Sequence, residues 1–163
     1  MRTTGLSRRI LMTALSAALV LTGCGGGEED DMGTSAESGQ ILIRTRINIA
    51  PTPGAEPIAT GEVLDGSTFG DSPFCVGGTI RDTHASSDPE VFLIARTITC
   101  PDGKVRMELA PELSQSLTQP GSWTIVSGTG AFEGLEGSGQ MEVTNDPDPD
   151  APARETYTGT ATR

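Results

Sequence analysis

Residues 41–49 alternate between two kinds of side chain along most of their length, and this pattern limits what the chain can fold into. Isoleucine or threonine occupies every odd position, while arginine or asparagine occupies the even positions from 44 to 48. Successive side chains of a β-strand point to opposite faces, so the segment predicts a strand with one buried face. Prolines at positions 51, 53 and 57 end the strand.

Seven further segments are short runs of β-branched and apolar residues bounded by turn-forming residues. They are residues 58–64, 74–82, 90–99, 104–110, 122–127, 138–144 and 155–161. Asp102-Gly103 lies between two of them and favours a tight hairpin turn. Beyond the N-terminal segment, no stretch of eleven residues carries a helical stripe. We therefore predict an all-β fold, a small antiparallel closed barrel of about eight strands, because closure removes exposed strand edges. A β-sandwich is the alternative.

The N-terminal segment is organised like a bacterial export signal. Arginines precede an apolar run, residues 10–21, that is too short to span a bilayer as a resident helix and fits the apolar region of a signal peptide. The run ends in Leu21-Thr22-Gly23-Cys24, which resembles the lipobox of bacterial lipoproteins. The resemblance implies cleavage before Cys24, a diacylglyceryl group on its thiol and an acyl chain such as palmitate on its amine. An ordinary secretory signal is the alternative, and Arg8-Arg9 leaves open a twin-arginine export route.

Three segments follow from this organisation. Residues 1–23 are the predicted signal peptide, residues 24–39 a lipidated cysteine with a flexible acidic, Gly-rich linker, and residues 40–163 the barrel domain. The acidic run at residues 28–31 has no turn to converge its carboxylates, so a solvated spacer is favoured over a metal site. The expected location is the cell membrane, lipid-anchored on its extracytoplasmic face.

Charge narrows the choice of partners. The chain carries 22 acidic and 11 basic residues; three of the basic ones precede position 24, so the remainder has eight against 22, a net charge of −14. Such a chain cannot form the basic surface that nucleic acid requires, and anionic headgroups repel it. The bilayer is therefore an expected partner only through acylated Cys24.

The cysteine count supports this layout. If Cys24 carries lipid, Cys75 and Cys100 remain as one pair in an oxidising compartment. Cys75 opens one predicted strand and Cys100 closes the next, so an antiparallel hairpin would join them in a disulfide. Metal ligation and a reactive thiol are the alternatives, but the chain has a single histidine and no CxxC motif. We expect no metal and no cofactor.

Residues 121–139 read GSWTIVSGTGAFEGLEGSG. This run resembles a motif of uncharacterised exported actinobacterial proteins with an allene oxide cyclase-like barrel, a fold that plant dirigent proteins share. The turn at residues 99–103, the earlier Cys75 and Tyr157-Thr158-Gly159 belong to the same pattern. The resemblance implies the barrel fold and no chemistry, because the plant cyclase's catalytic residues match no position here.

In physical terms the same run predicts a tight reversal between two strands. Its glycines would supply positive φ, while Ala131, Phe132 and Leu135 would close one barrel mouth. A phosphate-binding loop is excluded because no helix follows and because Glu133 and Glu136 would repel phosphate.

Candidate chemical groups elsewhere are sparse. His84, within DTHASSD, could be imagined in a Ser/His/Asp constellation, but these residues are ordinary turn formers and no nucleophile elbow exists. Residues 146, 148 and 150 are aspartates alternating with proline, which splays the carboxylates; weak Ca²⁺ binding is the alternative. We predict no catalytic residue.

Trp123 and Phe92 are expected in the core or lining the barrel, with ligand stacking as the alternative for Trp123. Three functions remain open: a tethered lipoprotein holding a small apolar ligand, a structural envelope lipoprotein with a filled barrel, and a cyclase- or isomerase-like enzyme. An open cavity would favour binding, and a buried carboxylate of raised pKa inside it would favour the enzyme.

Overall fold

The computed structural model of the protein describes residues 37–86 and 92–163. Ten strands and no helix occur in these ranges. They are β1 (Ser38–Ile49), β2 (Ala59–Val63), β3 (Thr68–Phe69), β4 (Ser72–Pro73), β5 (Thr79–His84), β6 (Ile94–Cys100), β7 (Gly103–Pro111), β8 (Thr118–Gly130), β9 (Glu136–Thr144) and β10 (Ala153–Thr162). The predicted signal peptide, Cys24 and most of the predicted linker lie outside the described residues.

The strands form one closed antiparallel barrel. Eight of them pair in the order β1-β2-β5-β6-β7-β8-β9-β10, and β10 pairs back onto β1, with Ser38 opposite Thr162 and Ile47 opposite Ala153. The short β3–β4 hairpin attaches to β1 beside β2. The predicted closed eight-stranded barrel is confirmed, and the sandwich alternative is wrong. No helix long and apolar enough for a membrane crossing occurs within residues 37–86 and 92–163.

Strand β1 has the predicted alternation. Ile43, Thr45 and Ile47 are buried inside the barrel, whereas Arg44 and Arg46 are exposed. Ile49 departs from the expectation with 64% exposure, because β1 ends there at the barrel rim.

One end of the barrel, which we call the closed end, is filled by apolar side chains from the turns around it. The reversal between β8 and β9 has Gly130 and Gly134 at positive φ and buries Phe132 and Leu135, as predicted. The ring of Phe132 meets that of Phe74 edge-on at 5.6 Å between centroids. The prediction for Ala131 is wrong: this residue lies exposed on the outside of the turn.

The Cys75–Cys100 disulfide is present, with the two Cα atoms 5.3 Å apart. Cys100 ends β6 as expected. Cys75 does not open a strand, however: it lies in a turn with φ +47°, and β5 begins only at Thr79. The β3–β4 hairpin just before this turn was not predicted, since each of its strands has only two residues.

At the opposite end, which we call the open end, four longer connections leave and re-enter the strands. They are residues 50–58, 85–93, 112–117 and 145–152, and of the second only residues 85, 86, 92 and 93 are described. The chain enters and leaves the barrel at the closed end instead, where the backbone N–H of Arg163 donates to the carbonyl of Glu37 at 2.7 Å.

Candidate functional site

A cavity of about 510 Å³ opens between the connections of the open end. Its wall is largely apolar because the inward positions nearest this end carry aliphatic side chains and two alanines. These are Ile47, Ala59, Ile94, Met141, Val143 and Ala153. The carboxylates of Asp82 and Glu155 also line it. The cavity thus combines an apolar wall with an acidic floor.

The floor belongs to a buried polar cluster, which we call the ion cluster: Thr45, Asp82, Arg96, Glu155 and Tyr157. Each member occupies an inward position of its strand, on β1, β5, β6 and β10, among the apolar residues of the same face. Strand alternation therefore directs all five side chains into the barrel.

Arg96 is the centre of the ion cluster and is 1% exposed. Its Nε and Nη2 donate to the two carboxylate oxygens of Asp82 at 2.8 and 2.6 Å. Nη2 also donates to Glu155 Oε1 at 3.3 Å, and Nη1 donates to Glu155 Oε2 and to the Tyr157 hydroxyl. All five N–H donors of the guanidinium are used. Arg96 therefore has no donor left for a ligand.

The two carboxylates differ in how fully they are hydrogen-bonded. Glu155 Oε2 accepts from Thr45 and from Tyr157, each at 2.7 Å, in addition to Arg96. The Asp82 carboxylate accepts only the two bonds from Arg96 among the hydrogen bonds of the described residues. The two oxygens of a carboxylate can together accept about four hydrogen bonds, so Asp82 keeps acceptor capacity at the cavity floor, whereas Glu155 does not.

Burial and pairing move the pKa values of the two carboxyls in opposite directions. Burial raises the pKa of Asp82 above its ordinary range, against the opposing effect of Arg96. Burial acts on Glu155 in the same sense, but the charge of Arg96 and the bonds from Arg96, Tyr157 and Thr45 outweigh it and lower the pKa of Glu155. The Tyr157 pKa is raised well above its usual range, chiefly by burial, so its hydroxyl stays a donor.

Trp123 packs against Tyr157 of the ion cluster and does not line the cavity. It is 1% exposed, its Nε1 donates to the carbonyl of Gln140 at 3.0 Å, and its ring meets that of Tyr157 edge-on at 6.5 Å. The core position predicted for Trp123 is confirmed, and the ligand-stacking alternative does not fit this placement.

His84 and Phe92 lie at the rim of the cavity with their rings 6.3 Å apart. Phe92 is 39% exposed, so it lines the open end and is not a core residue. Of the imagined Ser/His/Asp constellation, Ser87 and Asp88 lie outside the described residues. His84 instead shares the inward face of β5 with Asp82.

The carboxylates of Asp146 and Asp148 accept hydrogen bonds from backbone N–H groups of their own loop. Asp146 Oδ1 accepts the backbone N–H of Asp148, and Asp148 Oδ1 accepts that of Asp150, each at 3.0 Å. Within the described ranges, no group of three or more His, Cys, Asp or Glu side chains could hold a metal ion.

The ion cluster was missed from the sequence, although a signal for it exists. Arg96 lies between Ile94 and Ile98, and Glu155 lies between Ala153 and Tyr157, each at an inward position of an alternating strand. A charged residue there must be paired, since an unpaired buried charge is too costly.

No protein-family model matches the chain, and no curated protein sequence matches it. Among solved structures it is similar to the pterocarpan synthase dirigent protein GePTS1, at 16% identity and a TM-score of 0.45, covering 78% of this chain and 86% of that chain. It is also similar to the pterocarpan synthase dirigent protein PsPTS1, at 18% identity and a TM-score of 0.36, covering 77% of this chain and 94% of that chain. No residue role is transferred from either protein.

Proposed function

We propose that this chain is an exported lipoprotein, tethered by lipid on Cys24 to the extracytoplasmic face of the cell membrane, whose barrel binds a small, mainly apolar ligand. The observation that carries the binding role is the cavity of about 510 Å³. Ligand sites are typically concave, mostly apolar and equipped with a few convergent polar groups. The structural alternative requires an interior filled throughout by its own side chains, whereas the cavity leaves the open end unfilled.

Ligand binding is tested on the mature chain, residues 24–163, with Cys24→Ser so that it carries no acyl group, exported behind a cleavable secretory signal. The probe is N-phenyl-1-naphthylamine, a neutral apolar fluorophore. We expect its emission to rise on binding and native mass spectrometry to show one molecule per chain.

Two alanine substitutions make this test specific. Ala153→Phe places a ring in the cavity wall and should abolish probe binding, while Ala131→Phe adds the same ring at the exposed turn of the closed end and should preserve it. Thermal melts establish that both variants are folded. Equal binding by both variants, or no binding by the parent chain, would contradict the proposal.

The anchor is tested separately, by intact-mass analysis of the chain extracted from membranes. The expected mass is that of a chain beginning at Cys24 plus a diacylglyceryl group. A chain that begins elsewhere, or an unmodified Cys24, would refute the anchor without affecting the cavity.

An enzyme of the cyclase or isomerase kind is the second candidate, because Asp82 is a buried carboxyl of raised pKa at the cavity floor. Such a group can exchange a proton with a bound molecule. If Asp82 acts in this way, a ligand bound in the cavity should take up deuterium from heavy water when incubated with the parent chain. It should take up none with the Asp82→Asn chain.

A further inference from the structure

The charge distribution around the cavity indicates which ligands it accepts. Arg96 forms ion pairs with both Asp82 and Glu155, so one guanidinium faces two carboxylates and the ion cluster carries a net charge of −1 when both are ionised. No Lys or Arg lines the cavity among the described residues. Because every Arg96 donor is used within the ion cluster, a ligand at the floor meets carboxylate oxygens and no cationic donor.

The entrance to the cavity is negatively charged, like its floor. The four connections at the open end contain no Lys or Arg in their sequence. Their described acidic residues are Glu56, Glu112, Asp146, Asp148 and Asp150. An acidic entrance above an acidic floor attracts cations and repels carboxylates and phosphates.

The apolar wall favours organic cations over metal ions as ligands of the cavity. No cluster of three or more metal-binding side chains lies among the described residues, whereas Ile47, Ile94 and Met141 give an apolar molecule contact area. A single carboxylate with acceptor capacity matches an ammonium group, which carries three donors and one charge.

We propose that the ligand class of this cavity is an organic monocation: an ammonium-bearing apolar molecule whose charged end docks on Asp82 and whose apolar part lies against the wall. This inference rests on the proposed binding function and specifies its chemistry. Glu155 is held by Thr45, Arg96 and Tyr157, which leaves Asp82 as the carboxylate better able to accept from the ligand.

Three probes with the same chain and different head groups test it: n-octylamine, n-octanol and n-octanoate, titrated calorimetrically at pH 7 into the mature Cys24→Ser chain. We expect octylamine to bind about tenfold more tightly than octanol, the scale of one charge-assisted hydrogen bond, and octanoate to bind most weakly. Equal affinities would overturn the charge preference while leaving the cavity proposal intact. Absence of binding by all three would instead contradict the binding function itself.

Asp82→Asn and Asp146→Asn form the matched pair of variants. Both remove one acidic charge at the open end, the first at the floor and the second in an entrance loop. Asp82→Asn should bring octylamine affinity down to that of octanol and leave octanol affinity unchanged, whereas Asp146→Asn should preserve the preference. An Asp82→Asn chain that keeps the preference, or an Asp146→Asn chain that loses it, would overturn the assignment to Asp82.

If Asp82→Asn fails to fold, carboxyl NMR of the parent chain provides a second readout. Octylamine should shift the side-chain carboxyl ¹³C resonance of Asp82 more than octanol does. Identical shifts with the two probes would overturn the contact.

Discussion

Arg96 and Asp82 form a two-pronged ion pair inside the barrel, with Nε to Oδ1 at 2.8 Å and Nη2 to Oδ2 at 2.6 Å. The pair links neighbouring strands β5 and β6, where the backbones of the two residues lie opposite each other. The remaining donors of Arg96 reach Glu155 and Tyr157 on β10. One guanidinium therefore joins two separate parts of the barrel wall through its interior.

Replacing Arg96 should cost far more stability than replacing an exposed arginine. Arg96→Met leaves two buried carboxylates without their cation, and breaking a buried pair typically costs about 3–5 kcal/mol. Arg46→Met, the control, removes an exposed ion pair with Glu62 and should cost at most about 1 kcal/mol. Urea unfolding followed by Trp123 fluorescence measures both losses. Similar losses for the two variants would contradict the role given to Arg96.

The disulfide should contribute stability by constraining the unfolded chain. It closes a loop with a sequence separation of 25 between its cysteines. The double variant Cys75→Ser/Cys100→Ser should lose about 3.5 kcal/mol on the chain-entropy estimate. Comparison of its unfolding free energy with that of the parent, both under non-reducing conditions, gives the value. Reduction of the parent should reproduce the loss, and a reducing agent should leave the double variant unchanged.

Gly128 is required by close backbone approach. A Cβ there would lie 1.8 Å from the carbonyl oxygen of Phe132, in the turn that fills the closed end. Gly54 has φ +77° with no atom near its missing Cβ, so Gly54→Ala should cost only the backbone penalty of about 1–2 kcal/mol. We expect Gly128→Ala to cost more than twice as much in thermal or urea unfolding. A Gly128→Ala barrel as stable as Gly54→Ala would show that the turn relaxes freely.

The pKa values of the two floor carboxyls, Asp82 and Glu155, should be displaced in opposite directions from their ordinary values. The raised pKa of Asp82 means that the folded state binds its proton more tightly, so this stabilisation is present at low pH and is lost as the pH rises through the folded pKa. The lowered pKa of Glu155 gives stabilisation that is present at higher pH and is lost as the pH falls through the folded pKa. Carboxyl ¹³C NMR should place Asp82 above the ordinary aspartate range and Glu155 below the ordinary glutamate range. The reverse order of displacements would contradict the hydrogen-bond asymmetry.

Local patterns in the sequence predicted much of the barrel. The alternation at residues 41–49 identified β1 and its buried face, and the Gly-rich run located the reversal from β8 to β9. Strands as short as Thr68–Phe69 leave no periodicity to detect. The residues around Cys75 predict a strand because its neighbours Phe74 and Val76 are β-forming, whereas Cys75 itself adopts positive φ in a turn.

The candidate site was much less predictable. Arg96 and Glu155 are 59 positions apart, and only the register of the closed barrel places their side chains at the same depth. The cavity likewise depends on a difference in side-chain size between the two ends of the barrel, which no single segment of the sequence shows. Small side chains such as Ala59 and Ala153 occupy inward positions at the open end, while Phe74 and Phe132 fill the closed one.

The pairing of β1 with β10 has a consequence for how the chain reaches this structure. Every other barrel contact joins strands that are consecutive around the meander, interrupted only by the small β3–β4 hairpin, so it can form hairpin by hairpin. The β1–β10 seam joins the first strand to the last, with Ile43 opposite Tyr157, and must close nearly the whole domain as one loop. The entropy of loop closure is lost before these long-range contacts stabilise the product. Folding speed should therefore be governed by the moment at which the two ends of the sheet meet.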